Sequence, residues 1–249
     1  MCPSSRIDIS DQVRRRLPPP LLAALNDVEG VYQRPIPFYL VQDLPVNAGG
    51  LANSQGFVEL LPHSRSNLNV IGEEIMHLHR WTTGYPLIRP SARARGDGYD
   101  HHLQALGGHF DEYAFFPFLE QAGLNPRAEL YPRIVDAVRD LHGGLLDRIP
   151  RVLGSGEFTL EWRVKLSRTY VVASSLSGPS PARDTLLQLF EAEPLHPCAE
   201  LGRRIALEIA DASDETPDQV ADRMRTCLFT HLGLPQNAAT VRYLDPRDP

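Results

Sequence analysis

The apolar and polar positions change their period along the chain. Over 37–44 (PFYLVQDL) and 55–61 (QGFVELL) the apolar residues form short aromatic and β-branched runs, joined by the turn-forming PVNAGGLANS. Runs of this kind predict two strands of a small sheet. Elsewhere the spacing is helical. Residues 7–29 predict two short helices parted at Pro18, Pro19 and Pro20, the second closed by Gly30. Residues 69–86, NVIGEEIMHLHRWTTGYP, predict a longer helix whose inward arc is Leu68, Ile71, Ile75 and Leu78. Ser64, Ser66 or Asn67 would cap its start, and Gly84, Tyr85 and Pro86 would stop it.

The next stretch, 87–98 (LIRPSARARGDG), reads as a loop carrying Arg89, Arg93 and Arg95. A second long helix is predicted over 99–122, interrupted at Gly107 and Gly108 and ended by Gly123 and Pro126. Helical spacing then dominates 131–149, 182–192, 199–210 and 217–232, with Pro217 after Thr216 a favourable helix start. Residues 159–174 alternate like a strand over LEWRVKL, but their length favours a helix. The expected class is α+β, mainly α-helical: a small N-terminal β-sheet, the helix over 69–86, and a helical C-terminal half. One domain over 1–249 is expected, with 37–127 as its core and 128–249 packed on it.

Composition narrows the function classes. The 249 residues are 42% apolar, enough for a sizeable core. The net charge of -6 is spread along the chain, so no basic field points to nucleic acid or to an anionic membrane surface. Cys2, Cys198 and Cys227 are too few and too widely spaced for a disulfide framework or a four-thiolate zinc site, and read as reduced thiols. No apolar leader opens the chain and no stretch is long enough to span a bilayer, which predicts a cytoplasmic protein. Lys165 is the only lysine among 25 basic residues, which reads as coding bias.

The chemistry concentrates on 73–77. On a helix Glu73 and His77 lie four apart and Glu74 and His77 three apart, so all three share one face. This is the spacing of the HExxH helix, where positions one and five hold zinc and the glutamate at two serves as general base. Position one here is Glu73. Zinc accepts carboxylate oxygen, and a carboxylate there opens the site to harder ions such as manganese or iron. Five of the nine histidines (His77, His79, His101, His102 and His109) fall between 77 and 109. His109 and Glu112, three apart, share a helix face, with Asp111 turned elsewhere. His79 reads as structural, His101 and His102 as surface groups, and Tyr85, Tyr99 and Tyr113 as packing groups able to donate to an oxyanion.

The run EEIMHLHRWTTGYP, followed by HFDEYAFFPFLEQAGLNP, resembles a pattern of bacterial zincin-like proteins: a metal-binding helix ending in Gly-Tyr-Pro, then a second helix ending in a Gly-Leu-x-Pro turn. It covers roughly 37–127, and the two strands ahead of the helix resemble the zincin core. The resemblance implies metal ligands at Glu73 and His77, a base at Glu74, and a third ligand from the second helix, Glu112 or else His109. It implies a zinc-dependent metallopeptidase acting on a peptide or small-molecule substrate, with iron or manganese as other ions.

Two further classes fit the residues. Glu74 and His77 also form a Glu-x-x-His pair of the kind found in di-iron bundles, and His77, His109 and a carboxylate could make a mononuclear iron triad, giving a non-haem iron oxidoreductase. The other Glu-x-x-His, from Glu193 to His196, contains Pro194 and suits a regular helix poorly. The third class is a catalytically decayed zincin that holds an extended peptide by strand addition.

Overall fold

The computed structural model describes residues 6–42, 44, 50–96, 99–152, 157–176 and 179–245, the side chains of Glu129 and Ser213 excepted. Helices dominate and the strands are few, so the fold is α+β and mainly α-helical. The chain divides into two compact units. The first gathers described residues within 1–87, 111–126 and 242–249, and the second those within 88–110 and 127–241.

The first unit opens with β1 (Ile7–Asp8), α1 (Ser10–Arg14) and α2 (Pro19–Tyr32). Pro19 and Pro20 stand in the first turn of α2, where a missing N–H costs nothing. The helix runs through the expected stop at Gly30 and closes at Gln33, which adopts the left-handed conformation at φ 53°. Strands β2 (Phe38–Leu40), β3 (Gly50–Asn53) and β4 (Phe57–Leu60) complete a sheet in the order β1-β2-β4-β3. β2 and β4 are the two expected strands, and they pair in parallel, with Phe38 opposite Val58 and Leu40 opposite Leu60. β3 arises inside the segment expected to be only turns; it pairs antiparallel to β4, with Ala52 opposite Val58.

Helix α3 (Leu68–Thr82) is capped by Asn67, whose side chain accepts the Asn69 N–H, and it ends before Gly84 at φ +94°. Ile71, Ile75 and Leu78 are fully buried, with Leu68 at the margin. Gly72 lets α3 approach its neighbours closely: a Cβ there would meet Leu124 at 3.0 Å, and Leu119 and Leu21 at 3.2 Å. Each large apolar side chain fully buried in this way contributes on the order of 1.5–3 kcal/mol.

The stretch expected as a loop holds β5 (Pro86–Pro90), which pairs with β6 (Ala239–Tyr243), and the short α4 (Ala92–Gly96). Pro86 and Ile88 alternate inward, a period of two hidden by the prolines and arginines around them. Residues 97 and 98 of that stretch lie outside the described residues. Helix α5 (Asp100–Gln121) is unbroken at Gly107 and Gly108. Gly107 instead admits Ile88, whose side chain would stand 3.3 Å from a Cβ there.

Then follow α6 (Leu130–His142), α7 (Leu145–Arg148), α8 (Leu160–Ser175), α9 (Pro181–Phe190), α10 (His196–Asp211) and α11 (Pro217–Arg225), which a π-helical turn, Thr226–His231, extends. Thr216 and Gln219 form the capping box of α11. Cys198 and Cys227 are buried free thiols, and burial pushes Cys198 up to about 11. Cys2 lies outside the described residues. Among the described residues no helix is long and apolar enough to cross a membrane.

Candidate functional site

Within the first unit, the polar face of α3 meets the part of α5 that starts at Asp111. Asp111 sits on the apolar side of α5, 1% exposed, in line with Phe115 and Leu119 at four-residue spacing. A carboxylate in such a place needs partners. Three side chains of α3 supply them. His77 Nδ1 lies 3.1 Å from Asp111 Oδ2, Trp81 donates its indole N–H to the same oxygen at 2.9 Å, and Arg80 donates Nε–H to Oδ1 at 3.1 Å. His77, Arg80 and Trp81 converge because they fall within one turn and a half of helix.

Aromatic groups close the site. Trp81 stacks on the His77 ring at 5.9 Å and Phe115 meets it edge-on at 5.0 Å. Arg80 spreads its guanidinium over the Tyr85 ring at 3.6 Å. The charges around His77 decide its protonation. Burial pulls its pKa down, but the hydrogen bond to Asp111 and the negative fields of Asp111, Glu74 and Glu112 outweigh that and raise it to about 9.

The expected ligands are distributed unevenly about this centre. Glu73 lies one turn before His77 on the same half-buried strip of α3. Glu74 is buried, and its Oε2 accepts the Ala52 N–H of β3 at 2.5 Å. Gly50 makes that approach possible, since a Cβ there would stand 2.9 Å from Glu74 Cγ. Glu112 is half-buried and acts on His77 through its charge. His109 is buried in the second unit and belongs with it. Among the described residues, no three His, Cys, Asp or Glu side chains converge closely enough to hold a metal ion.

Asp111 is the correction to the expected set, because spacing from His109 placed it away from the site. The signal for it was present: Leu103, Gly107, Phe115 and Leu119 continue its row, so an acid stood in an apolar stripe. His79, read as structural, stands 3.8 Å from Asp27. His102, expected at the surface, is buried at 5% exposure, whereas His101 keeps a third of its side chain in solvent. No family model, no curated protein and no solved structure matches the chain.

Proposed function

We propose that the first unit is a metal-dependent hydrolase of zincin type, in which an activated water attacks an amide or peptide carbonyl. The observation that carries this reading is the grip of buried Asp111 on His77 Nδ1. Histidines that ligate a metal donate their other ring N–H to a carboxylate in this manner, which fixes the tautomer and turns Nε2 to the ion. Arg80 and Trp81 hold Asp111 in turn, so the ring is set before any ion arrives. The donor types suit a divalent ion: His77 with Glu73 from α3, and Glu112 from α5, would hold it by drawing closer together than they stand here. A bound zinc ion would polarise the carbonyl and acidify a water molecule.

The protein's own groups carry the rest. Glu74 takes the proton from the water, with one carboxylate oxygen anchored on the Ala52 N–H. Trp81 and Phe115 limit the motion of the His77 ring. Peptide or small-molecule amides are the substrates, nucleic acid is not, and the free thiols Cys198 and Cys227 suit a reducing cytoplasm.

The test is elemental analysis of untagged protein, then zinc titration by calorimetry. About one equivalent should bind, His77→Ala should abolish binding, and Glu74→Gln should retain the ion while losing hydrolysis of a peptide library. Protein that is metal-free as isolated and takes up none on titration overturns the proposal and leaves a peptide-binding role. A second reading, a non-haem iron oxidoreductase, is favoured by the carboxylate-rich surroundings of His77, with Glu74, Asp111 and Glu112 all acting on it. Iron on analysis, with oxygen-dependent colour, would select it.

A further inference from the structure

The second unit holds a cavity of about 610 Å³, open to solvent, between the helix that runs from α11 into the π-helical turn and residues 239–241 of β6. A volume of this order accommodates a small molecule. The helix supplies one wall: Asp222, Thr226 and Thr230 fall four apart in one row, and Arg225 and Phe229 four apart in the row beside it. Gln236, Thr240 and Val241 line the other side. The π-helical turn, Thr226–His231, closes with a wide bond from the Leu232 N–H to the Cys227 carbonyl at 2.9 Å. Such turns are rare inside helices and gather at functional sites. Here its Thr226, Phe229 and Thr230 all border the cavity.

The charges of this helix are divided between two tasks. Arg223 donates to Glu215 at 2.6 Å and to Glu208 at 2.8 Å, and His231 Nε2 lies 3.2 Å from Glu208. These charges are spent inside the fold, tying the wall to α10. Of the residues that line the cavity, only Asp222 and Arg225 are charged, and they pair with each other at 2.6 Å. The lining thus has no net charge, which suits neither an anion nor a cation, and its hydroxyl and amide groups do not suit a hydrocarbon. The pair is exposed and weak, so its second carboxylate oxygen and other guanidinium N–H groups can turn to a ligand. Thr226 Oγ1 donates to the Asp222 carbonyl at 3.0 Å, which leaves its oxygen as an acceptor. Thr230, Thr240 and Gln236 each offer both a donor and an acceptor. Phe229, half-buried, adds an apolar ring. A neutral lining that gives and takes hydrogen bonds in equal measure, with one aromatic ring, matches a compact ring compound whose hydroxyls do the same and whose C–H groups are apolar.

We propose that this cavity is a binding site for a neutral saccharide, with Asp222 and Arg225 gripping adjacent hydroxyls and Phe229 packing against the apolar side of the sugar ring. Thr230, Thr240 and Gln236 bind the remaining hydroxyls. The site draws on no residue of the first unit and needs no metal.

The experiment titrates the full chain with glucose, maltose and cellobiose, followed by amide shifts in ¹H–¹⁵N spectra. Saturable shifts are expected with at least one of the three, centred on Thr226, Phe229, Thr230 and Thr240. Arg225→Gln should weaken affinity about tenfold, and Phe229→Leu, which keeps an apolar side chain but loses the ring, about threefold. Arg225 is exposed, so its substitution leaves the core intact, and circular dichroism checks that both variants fold. Adenosine, a flat ring compound with fewer hydroxyls, should bind more weakly than the best of the sugars. No saturable shift with any of the three sugars, affinity unchanged in both variants, or tighter binding of adenosine at the same residues would each overturn the proposal.

Discussion

His77 and His102 are both withdrawn from solvent, yet one is raised to about 9 and the other lowered to about 3. Burial acts on both in the same direction, against the charged ring. The difference comes from what each ring faces: carboxylates and a direct hydrogen bond at His77, cations at His102. The first unit thus carries a negative field at His77 and the second a positive one at His102. Inaccessibility alone would have predicted neither value.

The largest effect that can break this contrast is removal of its cause in the first unit. Asp111→Ala leaves the His77 and Arg80 charges without their shared carboxylate and should cost about 3–5 kcal/mol of stability in urea unfolding. A loss below about 1 kcal/mol would show that Asp111 does not organise the site.

Next comes pH. Because the folded pKa of His77 lies above its ordinary 6.5, the stabilisation it brings to metal-free protein is complete below 6.5 and vanishes as pH rises through about 9, a change of roughly 3 kcal/mol. His102 has the opposite sign. Its folded pKa is depressed, so its neutral form favours the fold above 6.5, and that advantage is lost as pH falls toward 3. Unfolding curves across pH 3–9 should therefore decline at both ends, and Asp111→Asn should flatten only the alkaline side. A decline on that side that survives Asp111→Asn would assign it to another group.

A smaller change sharpens the first half of the contrast. Trp81→Phe keeps the ring on His77 but removes one donor to Asp111, and should cost about 1 kcal/mol while leaving His77 protonated at neutral pH by NMR titration. Smallest of all, Arg225→Ala breaks an exposed ion pair with Asp222 and should change stability by less than about 0.5 kcal/mol, moving neither histidine.

Much of this arrangement is legible in the residues. Helix α3, with its Asn67 cap and Gly84 stop, follows from local spacing and capping chemistry, and so do α8, α9 and the Thr216 cap of α11. Where structure depends on distant partners, local pattern loses it. Strand β3 exists because β4 pairs with it, and its glycine-rich sequence alone reads as turn. Strand β5 is made by β6, about 150 residues later, with Pro and Arg obscuring its alternation.

The same division runs through the sites. Glu73, Glu74 and His77 were visible as a helical face. Asp111 meets His77 across 34 positions and was visible only as an acid in an apolar stripe. His102 was obscured because the first turn of a helix is usually exposed; here α8 brings its cations to it.

The hydrogen bond from Ala52 to Glu74 also bears on the edge of the sheet. β3 is an outer strand of its sheet, and the outward N–H of an edge strand is an invitation to another chain. Here that donor is already given to a carboxylate from α3, packed so closely that only glycine fits at position 50. The residue proposed to move a proton therefore also occupies an N–H that the edge of β3 would otherwise offer to another strand.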